Sequence, residues 1–206
     1  DGTYYLYSIA TDTATNAESA PGTQDATIVR DSVAPTLSST SASSITATGA
    51  TLNFTSNEAG TYYYVIYAAA DATPTSAAVV AQGTAVTKGT ASTTTSAKSV
   101  TASSLSGSTS YKAYVVVTDA AGNTSVVSTI AFTTSDTTAP SSSVSVSSSY
   151  FTGSSFSVSY TASDNVDLSK VDVYYSTSSS LTSPVKCGTA SGLSGTSSSG
   201  TVTCSV

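Results

Sequence analysis

The side chains able to do chemistry in this chain are few, and their types narrow that chemistry quickly. Cys187 and Cys204 are the two cysteines, they enclose 16 residues, and there is no histidine. A metal site on this pair needs two further soft ligands. A disulfide is therefore the default pairing, with free thiols as the alternative, and a disulfide implies an exported protein. Covalent catalysis needs a base beside its nucleophile. The sequence has no GxSxG stretch, its serines are too numerous for one to be singled out, and acidic pairs such as Asp164 and Asp167 fall in a loop with no predicted cleft. The expectation is that the chain is not an enzyme. The tyrosines of TYYYVIYA (61–68) offer a contact patch or a sugar-stacking platform for a surface glycan or protein ligand, or else simple cross-strand packing. Asn53-Phe-Thr and Asn123-Thr-Ser are N-glycosylation sequons, of use only in a host with that pathway.

Composition limits the elements that can hold these groups. Serine and threonine make up 83 of 206 residues, 9% are charged, and methionine and tryptophan are absent. Such polarity suits disorder, but 13 tyrosines and many alternating valines suit pleated, half-polar strands better. The net charge of −6, with six basic residues scattered along the chain, excludes a nucleic-acid footprint. No apolar run approaches the ~20 residues that span a bilayer. No signal peptide is visible and the chain opens in mid-strand, so the protein's N-terminus is expected elsewhere.

Residues 105–123, LSGSTSYKAYVVVTDAAGN, organise the rest. Ala113, Val115 and Val117 alternate as a half-buried strand entering a tight turn. The Leu105-x-x-x-Thr109-x-Tyr111 spacing resembles the tyrosine corner of fibronectin type III modules. A weaker copy opens the chain, where Tyr4-x-x-Tyr7 and Asp12 match Tyr111-x-x-Tyr114 and Asp119 at the same offsets. The resemblance implies an all-β protein of tandem immunoglobulin-like or fibronectin III-like β-sandwiches.

Boundaries follow from a repeated pentapeptide. Asp31-Ser-Val-Ala-Pro35 recurs as Asp136-Thr-Thr-Ala-Pro140, and each reads as a stiff linker. Residues 1–33 hold two strands, TYYLYSIAT and DATIVR, which cannot bury a core alone. Residues 34–135 form the complete module. Its strands are expected around Leu52 and Phe54, at 61–68, and near 85–88, 97–103, 109–118 and 126–134. A short helix is predicted at 74–82, with Thr73 as N-cap, Pro74 at N1 and Gly83 as the C′ glycine. Residues 136–206 begin a second subtype, in which Phe156, Val158 and Tyr160 alternate, as do Val171, Val173 and Tyr175. Both this segment and residues 1–23 resemble bacterial immunoglobulin-like domains.

The resemblance also gathers carboxylates, because in a fibronectin-like sandwich the incoming linker lies near the BC and FG loops. It implies one set of Asp31, Asn57, Glu58, Asp119 and Asn123, and a second of Asp136, Asp164, Asn165 and Asp167. Oxygen-rich joints of this kind suit Ca2+; turn chemistry accounts for the same residues equally plainly. No other cofactor is implied.

The function expected is a spacer segment of a long extracellular bacterial surface or adhesive fibre. The rivals are carbohydrate- or protein-binding modules, including accessory modules of a secreted polysaccharide-degrading enzyme. Residues 1–33 supply the last two strands of a module that residues 136–206 begin. Two arrangements satisfy those edges: a covalent array of copies, which is the ordinary one, or a filament whose subunits exchange strands with their neighbours.

Overall fold

A computed structural model describes residues 1–206. The chain is built from fourteen strands and one short helix, and it divides into two compact units, residues 1–135 and 136–206.

The first unit opens with an isolated antiparallel hairpin, β1 (Gly2–Leu6) and β2 (Ala26–Arg30), in which every residue is exposed. The strand expected to run on through Thr11 stops at Leu6, where pairing with β2 stops too. A β-sandwich follows: β3 (Leu37–Ser43), β4 (Ala50–Ser56), β5 (Gly60–Ala68), α1 (Ser76–Ala81), β6 (Thr87–Thr93), β7 (Lys98–Ala102), β8 (Ser110–Thr118) and β9 (Ser128–Thr133). One sheet has the order β3-β4-β7 and the other β6-β5-β8-β9, and β3 also lies against β9. The two sheets share one core. Leu52 and Phe54 from β4 meet Tyr62, Tyr64 and Ile66 from β5, Ala113, Val115 and Val117 from β8, and Ile130 and Phe132 from β9. Each large apolar side chain so buried contributes about 1.5–3 kcal/mol before the entropy of ordering is subtracted.

Strand β8 is buried on both faces, which alternation alone does not explain. Helix α1 lies over the outer face of the four-stranded sheet and drops Val79 among Val65, Tyr114 and Val116. The helix is shorter than predicted, and its caps are shifted. Thr75, not Thr73, is the N-cap, accepting from the Ala78 amide. Pro74 therefore precedes the helix instead of opening it. Gln82, not Gly83, takes the left-handed conformation at the C-terminus (φ 49°). Its side chain tethers that residue, with Nε2 donating to the carbonyls of Tyr64 (3.2 Å) and Gly89 (2.5 Å). Lys88 Nζ donates to the Gln82 and Gly83 carbonyls and places a cation at the helix C-terminus. The strand expected at 85–88 starts at Thr87 and runs to Thr93.

The second unit has five strands: β10 (Ser141–Val146), β11 (Ser155–Ser163), β12 (Lys170–Tyr175), β13 (Val185–Ser191) and β14 (Ser197–Ser205). The last two come from the Ser/Gly-rich stretch, where hydrophobic alternation is too sparse to announce a strand. The sheets are β10-β11-β14 and β12-β13. Val158, Tyr160, Val171, Val173, Val202 and Cys204 pack between them. Cys187 on β13 and Cys204 on β14 form the disulfide, which therefore ties one sheet to the other. Their Cα atoms are 4.6 Å apart. One part of the inner face stays bare. Val144 and Val146 pair with the buried Tyr160 and Val158 and so point to the same face, yet they are 60% and 54% exposed.

Candidate functional site

The expected tyrosine corner closes one end of the first unit. Tyr111 is buried on Phe132, and its hydroxyl accepts a hydrogen bond from the Ser106 amide at 3.0 Å. Leu105 is buried beside it in the core. Thr134 Oγ1 donates to the Ser106 carbonyl (2.6 Å) and accepts from the Thr109 amide (3.0 Å), so both ends of this turn are fixed.

The opposite end carries the carboxylates. Asp31 sits on the linker entering the sandwich, Glu58 on the β4–β5 turn and Asp119 just after β8. One carboxylate oxygen from each lies within 4.8 Å of the others. A point central to a triangle of that side is about 2.8 Å from each corner, close to the 2.3–2.6 Å of Ca2+–oxygen bonds. The three oxygens form a candidate cation site. The two asparagines of the same set do not add to it. Asn123 Nδ2 donates to the Asp31 carbonyl (3.3 Å) and to Asp119 Oδ2 (2.9 Å). Asn57 Oδ1 accepts from the Thr36 amide (2.6 Å), while its Nδ2 donates to Glu58 Oε1 (3.3 Å). Both asparagines therefore fasten the linker to its neighbouring loops. Asp119 is itself a turn residue, since its Oδ1 accepts from the amides of Ala121 (2.8 Å) and Asn123 (2.9 Å). Desolvation pushes its carboxyl up, but these bonds from Asn123, Ala121 and Gly122 outweigh it and hold the group below its ordinary value.

In the second acidic set the expected neighbours Asp136 and Asn165 do meet. Asn165 Nδ2 donates to Asp136 Oδ1 (3.0 Å), and Asp164 Oδ2 accepts from the Val166 amide (3.2 Å). Asp167 turns away and accepts from the Gly195 amide. The three carboxylates of this set, Asp136, Asp164 and Asp167, do not form a cluster like that of Asp31, Glu58 and Asp119. Asp164 Oδ1 is buried without a partner.

The tyrosine platform expected at 61–68 is not a surface. Tyr62 and Tyr64 lie in the core, and Tyr63 and Tyr67 pack beneath α1. Burial, then the neighbouring Tyr64, raises the Tyr62 hydroxyl above its ordinary value. The sequon asparagines are engaged as well: Asn53 bridges Ser43 Oγ (2.9 Å) and Ser99 Oγ (2.8 Å) across the sheet. One polar cluster went unread in the sequence. Asp172 accepts from Lys170 (3.0 Å), Lys186 (2.8 Å) and Thr189 (2.6 Å) on the outer face of β12–β13. Lys186, Thr189 and Lys170 hold its carboxyl well below the usual carboxylate range. Its signal was a lone Asp between two valines in VDV, at an outward position.

No protein-family model matches the chain, and no curated protein matches it. Among solved structures, chitinase ChiA74 from Bacillus thuringiensis is similar at 20% identity over 86% of this chain, with a TM-score of 0.38. The chain spans 28% of that chitinase's length, and a likeness this distant does not bear on what the chain does. No helix is long and apolar enough to cross a membrane.

Proposed function

We propose that the chain is a non-catalytic spacer in an extracellular fibre, its sandwiches transmitting tension from end to end. One observation carries this reading: the first sandwich takes in and releases its chain at opposite poles. The linker enters at Asp31 beside Glu58, beyond the end of β4. The chain leaves at Ser135, whose amide donates to Thr46 before the start of β4 (3.1 Å). In the second unit, Asp136 likewise enters beside Asn165, beyond the end of β11, while the end of β14 lies at the other pole, where the Val206 amide donates to the Ser154 carbonyl before the start of β11. Strands of seven and nine residues separate those poles by roughly 23–30 Å. A module wired in this way adds its whole length to a fibre. The cross-sheet disulfide suits an oxidising, extracellular setting.

The linker clamp made by Asn123 and Asn57 supports a stiff entry, and Ca2+ on the Asp31–Glu58–Asp119 trio would stiffen it further. Added Ca2+ is expected to raise the thermal transition of the first unit by mass action, and Asp31→Asn to abolish that rise. An unchanged transition in the wild-type chain would leave the trio as turn residues. The spacer reading itself is tested by pulling the chain between its termini: discrete unfolding events support it, and featureless extension would overturn it.

A further inference from the structure

Residues 2–17 match residues 109–124 of the first sandwich at one constant offset, β2 then pairs back on β1 as β9 does on β8 after a longer connection, and the resemblance extends to atoms. Asp12 Oδ1 accepts from the amides of Ala14 (2.9 Å) and Asn16 (2.8 Å), and Asn16 Nδ2 donates to Asp12 Oδ2 (2.9 Å). Asp119 has the same three bonds from Ala121, Asn123 and Asn123 Nδ2. Left-handed Thr15 (φ 70°) stands where Gly122 (φ 94°) stands, and the bridge Thr11–Ala17 matches Thr118–Thr124. Tyr4 pairs with Ile28 as Tyr111 pairs with Phe132. By this equivalence Tyr4 and Leu6 point to an inner face, as Tyr111 and Ala113 do, and Ile28 joins them as Phe132 does.

In the first sandwich, β8 is flanked by β9 on one side and β5 on the other, with eight paired positions along β5. Strand β1 has β2 on one side and nothing on the other, although Tyr4, Leu6 and Ile28 are about half exposed (51%, 49% and 58%). The second unit has the complementary gap. Its β12 pairs with β13 on one side only, where the equivalent β5 pairs with both β6 and β8. Val144 and Val146 on β10 are inner-face residues left bare, whereas in the first sandwich the matching strand β3 lies against β9. The missing cover is thus a two-stranded hairpin with an apolar inner face, and the chain carries one that covers nothing.

We infer that the β1–β2 hairpin of a second copy of this chain adds to the free edge of β12, with β1 pairing along β12 and β2 closing over Val144 and Val146. Tyr4, Leu6 and Ile28 of the second copy fill the inner face, and its Asp12–Asn16 turn arrives at the pole that holds Asp136 and Asn165. That pole would then match the Asp31–Asn123 clamp of the first sandwich, whose FG-loop member the second unit lacks. The contact is heterologous, hairpin to edge, so copies grow in an open line. This deepens the spacer reading by naming what the segment joins end to end.

The test uses the whole chain and two variants, each at an exposed position, so that neither disturbs a folded core. Leu6→Asp spoils the hairpin and Val144→Asp spoils its seat. In sedimentation velocity over rising concentration, the wild-type mass should climb through multiples of 20.4 kDa. Each variant alone should stay monomeric, and their equimolar mixture should stop at the dimer, because one good hairpin meets one good seat. A wild-type chain that stays monomeric throughout, or a Leu6→Asp chain that associates like wild type, overturns the proposal. Discrete unfolding of that monomer under tension would leave the spacer reading standing.

Discussion

Removing a single hydroxyl from each of two tyrosines should have opposite effects, although the side chains lie three residues apart on β8. Tyr111 and Tyr114 are both buried, at 4% and 0% exposure. The Tyr111 hydroxyl satisfies the Ser106 amide, and the Tyr114 hydroxyl has no partner. Tyr111→Phe keeps the ring on Phe132 and deletes one hydrogen bond, which costs about 1 kcal/mol if water reaches the stranded amide and up to about 3 if it does not. For a sandwich of this size that lowers the melting temperature by roughly 4–15 °C. Tyr114→Phe removes a desolvated polar group that gains nothing from the fold, so the change should be neutral or stabilising by about 1 kcal/mol. Calorimetry on the full chain, following the transition of the first unit, reads both. Equal shifts, or a larger loss for Tyr114→Phe, would refute the assignment of the corner.

Other outcomes follow from the same geometry. Replacing Cys187 and Cys204 by serine should lower only the second unit's transition, by about 3 kcal/mol for a loop of this size; two alkylatable thiols in the unreduced protein would contradict the pairing. The Asp172 carboxyl titrates lower folded than unfolded, so its contribution is complete above about pH 4 and is lost as acid drives the pH toward the folded value. Asp172→Asn should therefore flatten the second unit's acid sensitivity below pH ~4, and an unchanged acid profile in the variant would exclude that role. A Cβ on Gly60 would run into the Thr118 carbonyl oxygen, so Gly60→Ala should destabilise the first unit by about 1–3 kcal/mol in urea melts, and a neutral result would mean that β5 and β8 can separate freely.

The first sandwich was legible because its signals are local and dense. Alternation in β4, the Leu105-to-Tyr111 spacing and the paired linkers each fix a feature without reference to distant residues. The helix caps were misread because Gln82 holds a left-handed backbone through bonds to Tyr64 and Gly89, partners remote from its own turn. The burial of the tyrosines at 61–68 was hidden for a related reason. Period two gives two faces, and only the covering helix decides that both are inside. In the acidic sets the residue types were informative, but the rotamers were not. Asp167 has a closer use at Gly195, and the asparagines present their amide nitrogens to the acids. Strand β14 is mostly serine, threonine and glycine, and β13 has little apolar alternation; they form because β11 and β12 offer them edges.

Force applied between the two termini of a single chain tests the spacer claim most directly. Unfolding of residues 34–135 should appear as one discrete event releasing roughly 30–35 nm of chain. The second unit's event should lengthen when the disulfide is reduced, as the 16 residues it encloses join the extended chain. Extension without discrete events, or a second event unaltered by reduction, would contradict the account.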